Sequence, residues 1–303
     1  MHDVIILGSG PAGLTAAIYT TRASLKTLVV AGEKWGGQLM LTTDVENYPG
    51  FPEGIQGPDL MQKMRKQAER FGAEFVEANF RQGDFSKSPF TIEAGDKSYQ
   101  GKSVIIATGA DTKWLGVPGE EEKIGRGVSS CAPCDAPFFK GKKVIVAGGG
   151  DTAMEEAIVL TKFSDEVMIV HRRDEFRASQ IMIDKAKANP KIKFVLNSQI
   201  TEILGDQKVT GVKIRNLKTN EEKEMLIDGV FVAIGHIPNS SVFKNIEIDE
   251  KGFIKVADHT RTNVEGVFVA GDVHDRQYMQ AVTAAGFGCA AALEAERWIE
   301  SKK

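Results

Sequence analysis

Apolar residues fall in short β-branched runs, each closed by glycine and followed by small residues at helical spacing. Val4 to Leu7 leads into Gly8-Ser9-Gly10-Pro11-Ala12-Gly13, and Val144 to Ala147 leads into Gly148-Gly149-Gly150-Asp151-Thr152-Ala153. Residues 3–13 and 143–153 align without a gap, so the chain contains an internal repeat. Period-two apolar runs that switch to an Ala-rich 3.6 period predict strand, tight turn and helix at both places. A second pair of runs lies downstream of these turns. Val104 to Ala110, through Thr108 and Gly109, and Val230 to His236, through Ile234 and Gly235, each predict a buried parallel strand ending in glycine. A third run, Val267 to Val273, holds Gly271 and Asp272 and has no counterpart under a single duplication.

These elements predict an α/β protein of two Rossmann-like domains, one inserted into the other. The expected bounds are 1–115 with 243–303 for the outer domain and 116–242 for the insert. The turn-forming segments Leu115-Gly-Val-Pro118 and Pro238-Asn-Ser-Ser241 stand near the two crossings. In each glycine-rich turn the first glycine allows the bend and the second lets a pyrophosphate reach the backbone. The third position, Gly13 or Ala153, must be small for helix–strand packing. A helix N-terminus then turns free N–H groups toward the phosphates. One such turn alone is weak; two in the same setting point to two dinucleotide sites.

Composition adds only exclusions. Of the 303 residues, 42% are hydrophobic and 26% charged, with a formal net charge of -3. Nothing in that balance favours nucleic acid or an anionic membrane as a partner. No run approaches the roughly 20 apolar residues of a membrane span, and Met1-His2-Asp3 lacks a basic leader segment. Three cysteines are too few for a disulfide scaffold and suit a reducing, cytoplasmic setting. Two of them form Cys131-Ala-Pro-Cys134, followed by Asp135. A zinc site would need further ligands, yet the third cysteine, Cys289, and all five histidines are remote in sequence. A redox pair is the better reading, with Asp135 next to it as acid or base.

The segments Gly8–Gly13, Gly36-Gly37-Gln38-Leu39, Glu46-Asn47-Tyr-Pro-Gly50, the CxxCD, Gly148–Ala153, His171-Arg172-Arg173 and Gly271-Asp272-Val273 stand in a characteristic order. In that order and spacing the whole chain resembles the low-molecular-weight thioredoxin reductases. The resemblance implies FAD at the first site, held by Gly8, Ser9, Gly10, Pro11, Ala12 and Gly13. Glu33, Gly37, Gln38, Asn47, Thr108, Gly109, Gly271, Asp272, Met279, Gln280 and Ala281 would complete the set. Asp272 also has a physical argument: an acid just beyond a buried strand needs partners, and ribitol hydroxyls would supply them. A terminal helix beginning near Tyr278 would turn its N-terminus toward the flavin.

At the second site, residues Gly149, Gly150, Asp151, Thr152 and Ala153, with Ile234 and Gly235, are the expected cradle. The run Glu166 to Val170 ends in His171-Arg172-Arg173 and then Arg177, where an NAD site would present an acid. Guanidinium groups at that point suit a 2′-phosphate, hence NADPH. The resemblance implies that Cys134 lies against the flavin and that Cys131 is its partner sulfur. It implies a thioredoxin-like acceptor, a homodimer and a domain rotation in turnover. Which cysteine attacks the acceptor stays open. A peroxiredoxin system as acceptor, or a non-catalytic dinucleotide-binding regulator, are the alternatives. The larger disulfide reductases would place a CxxxxC early in the first domain, and this chain has no cysteine before Cys131.

Overall fold

A computed structural model describes all 303 residues, Met1–Lys303. The chain forms two compact units, Met1–Asp111 with Ile237–Lys303, and Thr112–His236. The crossings fall a few residues earlier than the expected 115/116 and 242/243. The reason lies in the backbone. Gly109 and Gly235 take positive φ (69° and 113°) and end the two buried strands. The segments that follow, Ala110–Thr112 and His236–Pro238, then pair as a two-stranded sheet. The expected breaker at Leu115–Pro118 lies inside the second unit instead. There the buried Glu120 carboxylate accepts the Leu115 and Gly116 N–H groups at 2.9 and 2.7 Å.

The first unit is built on a seven-stranded sheet. Its parallel part runs Glu74–Val76, Thr27–Val30, His2–Leu7, Lys97–Ile106 and Val267–Val269. Lys97–Ile106 does double duty: its first half pairs antiparallel with Phe90–Ala94, its second half parallel with Val267–Val269. The otherwise unexplained third apolar run therefore extends the parallel sheet. Helices Pro11–Arg22 and Ala281–Ser301 cover one face. They approach closely because a Cβ on Gly288 would stand 2.1 Å from the Ala12 carbonyl oxygen.

The second unit holds a five-stranded, all-parallel sheet in the order Val128–Ser129, Gly229–Ala233, Lys143–Gly148, Glu166–Val170, Ile192–Val195. Helix Asp151–Leu160 packs Ala153, Met154, Ala157 and Leu160 into its core. An antiparallel three-stranded sheet, from Ser198–Leu204 to Glu222–Leu226, is appended. No helix is long and apolar enough to cross a membrane.

Candidate functional site

In the first unit the turn from His2–Leu7 into helix Pro11–Arg22 is shaped by two close approaches. A Cβ on Gly8 would meet the Ala107 carbonyl oxygen at 2.2 Å, and one on Gly13 would meet the Gly8 oxygen at 2.1 Å. Gly10, by contrast, faces open space. A glycine is needed there not for packing but to leave backbone bare, as a phosphate cradle requires. Ser9 is buried, and its hydroxyl donates to the Ala31 oxygen (2.7 Å) while accepting the Gly36 N–H (3.0 Å). Its side chain thus ties three loops together and is spent on that task.

The remaining expected residues of this site collect on strand ends and loops of the same unit. Thr108 donates its hydroxyl to the Asn239 oxygen at 2.7 Å, and Gly109 keeps an open flank. Gln38 donates to the Asp111 carboxylate at 2.9 Å, and Asn47 to the Gln280 side-chain oxygen at 3.4 Å. Gln280 and Thr283 form a capping box that starts helix Ala281–Ser301, with Met279 just before it at φ 47°. Glu33 is exposed, and only its backbone N–H is held, by Asn79.

Asp272 is the decisive group in this unit. Its Oδ1 is buried with no hydrogen-bond partner in the protein. Burial, reinforced by the nearby Asp275, pushes its pKa up to about 7. An orphaned carboxylate oxygen beside a bare-backbone turn fits a ligand rich in hydroxyl groups. Asp275 has no such need, since it accepts the N–H groups of Gln277, Tyr278 and Met279.

In the second unit the repeat of that turn is packed differently. A Cβ on Gly149 would stand 2.3 Å from the His171 ring, while Gly150 and Gly235 face open space. His171 is buried, stacks on Phe176 and pairs its Nε2 with the Glu175 oxygen at 3.1 Å. Burial first, then Arg177, Arg173 and Arg172, lower its pKa. It is therefore a neutral, packed imidazole that shapes the loop, while the three arginines around it are exposed. The loop is anchored twice: the Arg177 N–H donates to the Gly149 oxygen, and Asp151 accepts both the N–H and the hydroxyl of Ser179 at 2.8 Å. Thr152 is exposed and Ala153 buried at the start of the helix, and Ile234 precedes the positive-φ Gly235.

Cys131 and Cys134 are joined as a disulfide, with Cα atoms 5.3 Å apart. Cys131 caps a four-residue helix, Ala132–Asp135, and both sulfur-bearing residues are half-buried. Ser129 organises the loop by accepting the Cys131 N–H at 3.1 Å and hydrogen-bonding to the Asp135 carboxyl. Burial outweighs that bond and raises the Asp135 pKa. A disulfide reachable from solvent beside an acid that resists ionisation is arranged for thiol–disulfide exchange with proton transfer.

Residues 2–288 match the family model of the pyridine nucleotide-disulphide oxidoreductases. The thioredoxin reductase of Mycolicibacterium smegmatis is 54% identical over 301 residues, covering 99% of this chain and 97% of that protein. The chain belongs to the thioredoxin reductases of this family. Among solved structures, the thioredoxin reductase from Streptococcus pyogenes is 42% identical with a TM-score of 0.95. That from Giardia duodenalis is 45% identical with a TM-score of 0.94, and each match covers 99% of both chains. Flavin and pyridine nucleotide use come with the family, and two residue-level features fit them: the unpartnered Asp272 oxygen and the paired bare-glycine turns.

Two groups at the redox loop escape a reading of motifs. Ser129 precedes the cysteine pair by two residues, and nothing in its sequence context marks it. Glu156 does carry a signal: at helical spacing it shares the face of Ala153, Ala157 and Leu160, an acid on an apolar stripe.

Proposed function

We propose that the chain takes electrons from NADPH, passes them through FAD to its Cys131–Cys134 disulfide, and delivers them to the disulfide of a thioredoxin-like protein. The observation that carries this reading is the half-buried disulfide capped by Ser129 and flanked by Asp135, whose carboxyl burial keeps protonated to higher pH. NADPH rather than NADH is supported by the exposed Arg172, Arg173 and Arg177, which crowd the end of strand Glu166–Val170 with no acid in the ribose position. A flavin nucleotide is supported by the phosphate-type turn at Gly8–Gly13 together with the hydroxyl-seeking Asp272, and FAD in particular by the dinucleotide-type spacing of that turn.

When bound, the flavin supplies a two-electron relay between nicotinamide and sulfur. The protein's own part begins with the opened disulfide. One of the two sulfurs, as thiolate, attacks the acceptor disulfide. An interchain S–S bond forms, and the displaced acceptor thiolate takes up a proton. The second cysteine then attacks the mixed disulfide, which re-forms Cys131–Cys134 and releases the acceptor's second thiolate, also protonated on leaving. Asp135 is the group placed to accept the cysteine protons and return them. The disulfide and the arginine loop belong to one unit, and Asp272 with its glycine turn to the other. The same proposal therefore has the Thr112–His236 unit turn on the paired segments Ala110–Thr112 and His236–Pro238 between half-reactions. A homodimer working in the cytoplasm completes it.

The test uses purified flavin-loaded protein with NADPH and oxidised thioredoxin. The wild type should bleach its flavin and reduce the thioredoxin. Cys131→Ser and Cys134→Ser should each bleach normally and leave thioredoxin oxidised. A colourless protein with no recoverable flavin, or cysteine variants that still turn over, would overturn the proposal.

A further inference from the structure

One buried titratable group has no task in the chemistry above. Glu156 lies on helix Asp151–Leu160, is only 6% exposed, and sits directly behind the redox loop. One of its carboxyl oxygens accepts the backbone N–H of Ala132, the residue between Cys131 and Pro133 that opens the redox helix. The other, Oε2, is buried with no partner at all. A helix this short cannot satisfy its first N–H groups internally, so a long-range acceptor at Ala132 helps define the pitch of the turn that carries both sulfurs. A shorter or apolar side chain would leave that N–H, on a fully buried residue, without a partner.

We propose that Glu156 is a positioning residue for the redox disulfide, holding the Ala132 N–H as a neutral carboxylic acid and thereby keeping the buried side of the loop free of a second negative charge when Asp135 ionises. The proposal rests on the reading of Cys131–Cys134 as the electron-delivering pair.

The charge argument follows from the surroundings. The groups that act electrostatically on Glu156 are Asp135, from the redox helix, and Glu155, from its own helix, and both are acids. Lys143 and Glu166 on the flanking strands and Asp184, Lys185 and Lys187 on helix Gln180–Ala188 are exposed or half-exposed, and the thiols of the reduced pair are the remaining titratable groups on the redox helix. Burial first, then Asp135 and Glu155, hold the Glu156 proton until a pH of about 8. Below that pH, Asp135 can give up its proton, and a cysteine can become a thiolate, beside a neutral acid. Above it, a second carboxylate in a low-dielectric interior opposes both ionisations, and exchange slows.

The experiment measures thioredoxin reduction from about two pH units below to about two above the Glu156 value of about 8, in flavin-loaded wild type, Glu156→Gln and Glu156→Ala. Flavin bleaching by NADPH serves as the independent control. Glu156→Ala loses the acceptor for Ala132, and its exchange rate should fall by about tenfold, the loss of one hydrogen bond of roughly 1.4 kcal/mol. Glu156→Gln keeps an acceptor and a neutral charge, and it should recover most of that loss. It should also lack the alkaline decline that the proposal expects of the wild type as Glu156 ionises near pH 8. Infrared spectra of the oxidised wild type should show a protonated-carboxyl component that disappears over the same range and is absent from Glu156→Gln, whatever band Asp135 contributes to both.

A Glu156→Gln enzyme as slow as Glu156→Ala, or one whose alkaline limb matches the wild type, would overturn the proposal. So would the absence of the carboxyl band at neutral pH. A wild type that bleaches but never reduces thioredoxin would instead overturn the functional reading on which it rests.

Discussion

Asp272 records in a single side chain the ligand that the first unit is built for. In the protein alone its carboxyl is buried, unpartnered and protonated to about pH 7, against an ordinary value of 3.8. The unfolded chain ionises it near 3.8, so between that pH and about 7 the folded state binds more protons than the unfolded one. Stability from this group is then complete below the lower value and lost as pH rises through the upper one. We expect the melting temperature of flavin-free protein to fall between these two pH values. In Asp272→Asn that dependence should be reduced, because one of its titrating groups is gone. The same variant should retain less flavin through gel filtration, by about tenfold in affinity if one charge-assisted hydrogen bond is lost. Equal flavin content in the two proteins would argue against a cofactor contact. Asp272 was legible in sequence because an acid after a buried strand is chemically expensive. Glu156 carried the same kind of warning, but it sits in a helix whose motif role drew attention to the glycines before it.

At the scale of elements, the two glycine-rich turns share a sequence pattern and differ in what fills them. In the first, Gly8 and Gly13 make room for the backbone of Ala107 and of the turn itself. In the second, Gly149 makes room for the His171 ring, and that ring is what shapes the arginine loop. Gly149→Ala should therefore displace His171 and loosen NADPH without touching a phosphate contact directly. Arg172→Ala and Arg173→Ala act on the proposed 2′-phosphate clamp itself. Each should raise the KM for NADPH by about tenfold or more, the usual cost of a hydrogen bond to a charged group, and leave that for NADH nearly unchanged. Steady-state kinetics with both nucleotides distinguishes the two effects, and a parallel loss of NADH affinity in the arginine variants would count against a 2′-phosphate site. Helix contacts follow the same geometric logic. Gly288→Ala puts a methyl group against the Ala12 backbone, which cannot swing aside, and should destabilise the first unit by about 1–3 kcal/mol in denaturant titration.

Over the whole molecule, the chain crosses between its units twice, and the crossings are two short paired strands, Ala110–Thr112 and His236–Pro238. A disulfide or chemical crosslink engineered between the two units should permit a single half-reaction and block repeated turnover. Undiminished turnover of fully crosslinked protein, measured with NADPH and thioredoxin, would show that no swivel is needed.

The sequence alone was enough for the repeated strand–turn–helix, the nested order of the two units, the CxxCD and the basic loop. These depend on local patterns: periodicity, glycine spacing and residues adjacent in the chain. Only the tertiary structure decided where the units divide, since that turns on Gly109 and Gly235 and on strand pairing between segments over a hundred residues apart. It also decided that His171 is a packed imidazole, that Ser9 is a loop tie and that Glu156 backs the redox helix. Each of those roles is set by a neighbour distant in sequence, and burial and partnership between such neighbours leave no local trace in the order of the residues.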